Sequence, residues 1–411
     1  MLDLLKGVRV LDLTSILMGP YATQILGDYG ADVIKVEAPG GDATRKIGPV
    51  RHEGMGPVFL NANRNKRSLA IDLKAPEGRA VLLRLAADID VVICNIRPKA
   101  MARLGLTYEV FREINPRIIY ASVVGFGSDG PYSGKPAYDD LIQGASTMAA
   151  LMQMAGNDGP RYVPTAAADR IVGLFAVSAV LAALHHRAVT GVGLSLEVPM
   201  FETMVSFVMG DHMGGQTFDP PLDEGGYKRQ LSIHRRPQKT RDGYICALIY
   251  SDKQWEAFAR LTGNLEKFGQ DRRYASISSR ASNIDYIYSE LNAEFLKKTT
   301  AEWYRLLEAA DIPVLPMHDL TSIYDDPHLH ARDFFRLVEH PSEGPIRTIR
   351  FPVECGPHPT EDRPVPLHGE HSLEILREAA FTQAEIEALF ASGIVSTPPA
   401  PVNGQAAGGN P

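Results

Sequence analysis

Residues 8–37 read VRVLDLTSILMGPYATQILGDYGADVIKVE, and this run sets the fold class. Val8–Leu13 is a largely apolar strand. Gly19-Pro20 then opens a helical segment, YATQILGDYG, and Ala31–Glu37 (ADVIKVE) is a second strand. Strand, helix and strand within about 30 residues make a βαβ unit, hence a parallel sheet with a right-handed crossover. Ligands of such sheets bind at the carboxyl ends of the strands, beside helix N-termini. The loop Ser15–Gly19 is therefore either a ligand loop or a plain connection, and pattern alone does not separate the two.

Downstream, the Gly/Pro/Arg-rich segment 38–57 reads as a long loop. Arg64, Lys66 and Arg67 precede a short strand, SLAIDL. A helix follows from Pro76, and a buried strand, DVVICN, ends at Asn95 with Arg97 and Arg103 close behind. Such cations make either a solvated face or an anion site, since forked guanidinium donors suit phosphates. The strand RIIYASVV (117–124) runs into GFGSDG, a match to the G-x-G-x-x-G dinucleotide pattern. Pro131 and further Gly/Pro residues follow where that pattern requires a helix, and the match lies too late in the chain for a first βα turn. A flexible glycine loop over a ligand is the better reading, and an ordinary surface loop is the alternative.

Helix-like DDLIQGASTMAALMQM (139–154) leads to RYVPTAAADRIVGLFAVSAVLAALHHR (161–187). The apolar run Ile171–Leu184 is 14 residues, too short for a bilayer, and reads as a buried helix. Asp169 stands where that helix should start. There it is a helix cap, or a carboxylate kept ionised by the helix dipole and able to act as a nucleophile toward an acyl group. The three preceding alanines leave room for another body to approach.

A strand and a buried helix follow in 194–210. From 214 to 241 the chain turns loop-rich and polar, a candidate domain boundary. DGYICALIY is a strand, and 253–310 is helical with Trp255, Phe258 and Leu261 forming a core stripe. Strand pairs up to Val365 and helical segments in 373–395 precede a Pro/Gly/Ala tail, 397–411, expected to be disordered. Across 411 residues the net charge is −7, which argues against general nucleic-acid or anionic-membrane binding. Three scattered cysteines make no metal spacing and favour a reduced, cytoplasmic setting. His328 and His330 beside Asp325 and Asp326 are a weak metal pattern, and no metal is expected. The N-terminus carries no signal-peptide pattern, and no run of about 18 apolar residues marks a membrane span.

Taken together, LKGVRVLDLT, GPYATQILGDYGADVIKVEAPGGD, NKRSLAIDLKAPEGR, CNIRPKAMARLGL, SVVGFGSDGPY, AADRIVGLFAVSAVLAALHHR, EVPMFETM, DGYI and DDPHLHARDFF resemble the family III (CaiB/BaiF) CoA-transferases, in order and over most of the chain. The resemblance implies an α/β fold with a Rossmann-like large domain from both chain ends (1–213 and 326–396) and a small α+β domain (226–316). Residues 214–225 and 317–325 would be linkers, and the ring-shaped chain would interlock with a second copy as a homodimer. It implies coenzyme A, as acyl-CoA substrate, lying on the large domain, with no nicotinamide. Asp169 matches the family's nucleophilic aspartate. Ile16, Leu17 and Met18 match the backbone cradle for the CoA end, and Ile71 and Lys74 the adenine side. Asn95, Ile96, Arg97 and Arg103 match phosphate and nucleotide contacts. Lys135, Tyr138 and Met200 match positions near the pantetheine and thioester.

The activity implied is transfer of CoA from an acyl-CoA to a carboxylic acid through an aspartyl anhydride and an aspartyl-CoA thioester. Two-base racemases of 2-methylacyl-CoA share this fold but pair the aspartate with a histidine. Tyr138 stands at that position here, and a phenol with a pKa near about 10 is a poor base. An NAD-dependent oxidoreductase would rest on GFGSDG alone, and a non-catalytic CoA-binding subunit has no residue in its favour. Oxalate-handling members carry glutamine at Leu17 and arginine at Ala38. The apolar Ile16, Leu17, Met18 and Met200 point instead to a larger acid, such as a dicarboxylate. His234, Arg235 and Arg236 are either its carboxylate anchor or a solvated loop.

Overall fold

A computed structural model describes residues 1–356 and 361–398. The expected tail falls almost entirely outside these residues. The chain divides into two compact units: 1–142, 165–204 and 333–411 form unit 1, and 143–164 and 205–332 form unit 2.

Unit 1 is built on seven strands: β1 (Arg9–Leu13), β2 (Asp32–Glu37), β3 (Lys66–Ile71), β4 (Val91–Cys94), β5 (Ile119–Val124), β6 (Ser195–Pro199) and, near the C-terminus, Val395–Ser396. Their order across the sheet is the C-terminal strand, then β3-β2-β1-β4-β5-β6. The first six are parallel, and the C-terminal strand pairs antiparallel with β3. This is the doubly wound, Rossmann-like order, with its switch point between β1 and β4. Side chains alternate across the sheet. Leu11, Leu13, Ile34 and Leu69 join one fully buried core with residues of the helices Pro76–Leu85 and Ser372–Glu378. On the other face Asp12 meets Thr23 of the helix Met18–Asp28.

The helix Ala167–Thr190 packs against Met18–Asp28, and Gly173 permits it: a Cβ there would sit 2.9 Å from the Met18 carbonyl oxygen. This helix is 24 residues long, and by length and composition it could cross a membrane, which the 14-residue apolar run alone does not suggest. Nor is it the buried helix that the sequence predicts. Val172, Ala176 and Val180 are inside, whereas Leu174 and Phe175 are exposed, because only one of its faces meets the core of unit 1.

Two further expectations change. The helix-like 139–154 is two helices, Asp139–Ala145 and Met148–Met154, separated at Thr147 by a left-handed φ of 70°. β3 starts at Lys66, so Lys66 and Arg67 lie within the strand. They and Arg64 form neither a solvated face nor an anion site. Arg64 pairs with Asp28, Lys66 with Asp12, and Arg67 with Asp32, Glu374 and Glu378. In the weak metal pattern, Asp326 caps the short helix Pro327–Ala331 and contacts His318. Among the described residues no His, Cys, Asp or Glu cluster has metal-binding geometry.

Unit 2 holds a small antiparallel sheet, Gln238–Lys239, Tyr244–Ala247 and Val314–Pro316. Helices pack on it around Trp255, Phe258, Phe295 and Trp303. The expected core stripe is present, with Leu261 at its half-buried edge.

Candidate active site

The β1 loop is held in an unusual shape by buried charge. Ile16 has a φ of 72°, which a β-branched residue rarely adopts. Its N–H points to the Asp42 carboxylate at 3.2–3.3 Å. Asp42 is in turn fixed by Lys35 Nζ at 3.0 Å and by Thr44. Lys35 also donates to the Thr14 carbonyl, tying the loop to β2. Ser15 and Asn95 exchange two hydrogen bonds of 3.0 and 2.9 Å across the switch point, joining the ends of β1 and β4. Gly19 lets the helix begin directly over this loop, since a Cβ there would lie 2.3 Å from Thr14 Cβ.

Asp169 occupies the third position of the helix Ala167–Thr190. The N-cap is Ala166, so Asp169 is not the cap. Its N–H donates to Asp139 Oδ1 at 2.9 Å, and no described residue hydrogen-bonds its carboxylate oxygens. Arg170 is turned onto the Tyr21 ring, 4.7 Å from its centroid. Burial, then the like charge of Asp139, push the Asp169 carboxyl up to about 6, against a smaller lowering by Arg170. The helix terminus therefore does not hold it fully ionised, as position alone implies. It is a poorly solvated carboxylate, mostly charged at neutral pH and little stabilised in that form, which suits a nucleophile.

Two cavities receive the candidate residues. One of about 280 Å³ is lined by Ile16, Leu17, Met18, Asn95, Arg97, Lys135, Tyr138, Asp169 and Met200. The other, about 570 Å³ and mostly apolar, is lined by Ile71, Lys74, Ile96 and Arg103. Ser15 and Ile16 border both. Every candidate site residue thus lies on one continuous stretch of unit 1. Arg97 and Arg103 have no acidic partner among the described residues, in contrast to Arg64 and Arg67.

Sequence reading missed the residues that shape the wall. GFGSDG does not open a helix, and it is pinned rather than free. Gly127 N–H donates to Glu202 and Ser128 N–H to Glu197, each at 2.9 Å. Phe126, Tyr132 and Phe201 pack with ring centroids 5.4–6.4 Å apart. Gly125 is required because a Cβ there would lie 2.4 Å from Ala137 Cβ. Asp139 and Asp42 were also missed. Asp139 follows Tyr138 and Asp42 lies in the loop 38–57, but only tertiary structure turns them toward Asp169 and Ile16.

Asp139→Asn keeps an oxygen to accept the Asp169 N–H and removes the neighbouring charge. Activity that needs ionised Asp169 falls about tenfold per pH unit below its pKa. The acid limb of kcat/KM, near pH 6 in the parent, is expected to move to lower pH in Asp139→Asn. An unmoved limb would leave burial as the whole cause.

Fold and site together define a doubly wound α/β enzyme with a half-buried aspartate, Asp169, in a crevice at its switch point that Asp139 and Glu197 also line. The chain belongs to CoA-transferase family III, whose model matches residues 5–372. It is similar to the succinyl-CoA:glutarate CoA-transferase of Mus musculus, 34% identical over 95% of this chain and 90% of that protein. It is 33% identical to the succinate–glutarate CoA-transferase of Agrobacterium fabrum, over 91% and 95% of the two chains. A CaiB/BaiF family protein from Brucella suis has a crystal structure that superposes with a TM-score of 0.75 at 31% identity, covering 91% of this chain and 99% of that one. The protein is accordingly a CoA-transferase, and its substrates are CoA thioesters and carboxylic acids.

Proposed function

We propose that the enzyme moves CoA from an acyl-CoA donor to a carboxylic acid by covalent catalysis on Asp169. The observation that carries this is the carboxylate itself: half-buried, without a hydrogen-bond donor, and lining the cavity that Arg97 and Lys135 also line. Asp169 attacks the thioester carbonyl, forming an acyl-aspartyl anhydride and expelling CoA thiolate. The thiolate attacks the aspartyl carbonyl, releasing the donor acid and leaving an aspartyl-CoA thioester. The acceptor carboxylate attacks that thioester, and the returning thiolate then takes the new acyl group and frees Asp169. No proton is gained or lost over the cycle. The Leu17 and Met18 N–H groups are suited to meet the developing oxyanions, since the shape of their loop is set by fixed groups and needs no reorganisation.

In this reading the Ile71 and Lys74 side of the larger cavity takes the adenine end, and Arg97 and Arg103 take phosphates. A short dicarboxylate such as succinate or glutarate is the acid we favour. The apolar Ile16, Leu17, Met18 and Met200 support it, as do the glutarate-using relatives. A homodimer belongs to the same reading. Leu174, Phe175 and Val189 of the helix Ala167–Thr190, 51%, 44% and 73% exposed, are an apolar face in want of cover.

Intact-mass measurement after mixing with succinyl-CoA tests the route. The expected result is a covalent adduct that hydroxylamine converts to a hydroxamate at residue 169. No adduct, with solvent deuterium entering the α-carbon of a 2-methylacyl-CoA, would replace transfer by two-base racemisation.

A further inference from the structure

Unit 2 contains a cavity of about 520 Å³ that shares no lining residue with the Asp169 cavity. Arg229, Arg235 and Arg236 line it, and no acidic side chain does. None of the three arginines has an acidic partner among the described residues. Arg229 is instead steadied by its Nε donating to the Tyr288 hydroxyl at 2.9 Å. Much of the remaining lining is apolar, with Leu248, Leu291 and Leu315. Gln238, only 6% exposed, also lines the cavity. Its Nε2 donates to the Arg236 carbonyl, but its buried Oε1 has no hydrogen-bond partner. An orphaned buried acceptor is uncommon in a folded chain and calls for a donor from outside it. Unpaired guanidinium groups, hydrocarbon and an open acceptor lining one cavity suit a small amphipathic anion.

We propose that this cavity binds a short aliphatic carboxylate. Arg235 and Arg236 take its anionic end in charge-assisted hydrogen bonds. Its methylenes lie against Leu248, Leu291 and Leu315. Gln238 Oε1 accepts from a hydroxyl or amide N–H on the ligand, or from a water that the ligand holds. The apolar wall sets a carboxylic acid apart from inorganic phosphate, which has no hydrocarbon to place there. Of the HRR triplet at 234–236, the two arginines line the cavity and His234 does not.

Isothermal titration of glutarate into the full-length Asp169→Ala protein tests this site without turnover. One molecule per chain should bind, and Arg235→Ala/Arg236→Ala should weaken binding by about tenfold or more. Both arginines are exposed, so their loss should not disturb folding. Leu315→Glu, which places an acid at the exposed wall, should weaken it similarly. Unchanged affinity in both variants, or equal affinity for inorganic phosphate, would overturn the proposal. A further arm, resting on the CoA-transfer reading, uses the active enzyme. A raised KM for glutarate in the double arginine variant identifies the ligand as the transferred acid. Lost binding with unchanged KM identifies it as a separate effector of the same chemistry.

Discussion

Asp169→Ala is expected to lower CoA transfer by about 10⁴-fold or more, because it removes the only atom on which the proposed covalent intermediates form. The loss should appear in kcat, with binding of CoA thioesters retained. The substitution should not destabilise the protein, and the sign follows from the carboxyl's environment. Its pKa is raised from 3.8 to about 6 on folding, chiefly by burial and then by Asp139. A group raised in this way disfavours the folded state where it is ionised, above about pH 6. That penalty disappears as pH falls toward 3.8. Removing the carboxylate therefore leaves the thermal midpoint at pH 7 unchanged or higher. Steady-state exchange between succinyl-CoA and glutarate, together with a thermal melt, checks both halves. Substantial turnover by the alanine variant would sink the aspartyl route. Lost activity with a collapsed melting temperature would make Asp169 a structural residue instead.

The second large effect is on stability. Asp12, wholly buried on β1, accepts from Thr14 and Thr23 and faces the equally buried Lys66 ammonium at 3.1 Å. Burial alone would raise its pKa, but Lys66 and Lys35 outweigh burial and hold it below the ordinary carboxylate value. Asp12→Ala strands the Lys66 ammonium in the core and should cost about 3–5 kcal/mol. Replacing both members, as in Asp12→Leu/Lys66→Met, should recover much of this, since apolar pairs of similar volume are often no worse than a buried ion pair. Because its folded pKa is depressed, the contribution of Asp12 is present above the unfolded value near 3.8 and is lost as pH falls below it. Urea unfolding of the parent and both variants at pH 7 is the measurement. A single variant as stable as the parent would show that the pair contributes nothing net. The loop bearing Ile16 leans on the same network through Lys35 and Asp42, so the single variant should lose activity before it unfolds.

Much of the candidate site was visible in the chain. Asp169 stands before an apolar run, and Arg97 and Arg103 follow a strand, so type and position together mark candidates for a reactive carboxylate and an anion site, and the fold brings these candidates to neighbouring cavities. Arg64, Lys66 and Arg67 carry the same local signature and proved structural. Their partners Asp28, Asp12 and Asp32 lie 36, 54 and 35 residues away, and no local pattern reports such pairing. The glutamates that pin the GFGSDG loop were hidden for the same reason: Glu197 and Glu202 reach it from 69 and 75 residues away.

The sequence by itself determined the parallel sheet, its crossovers and the chemistry types available to it. Periodicity, turn residues and βα spacing are local properties, and the handedness of the crossover follows from chirality. It also determined that an aspartate would begin the long helix. Tertiary structure alone decided how basic that aspartate is, because burial and the charge of Asp139 act through space. It alone decided which cations are spent in buried pairs and which remain for a ligand. It also decided the left-handed turn at Ile16, held by an Asp42 carboxylate that the chain carries 26 residues later. Solvation and charge pairing depend on what surrounds a residue in three dimensions, and a one-dimensional pattern does not contain that.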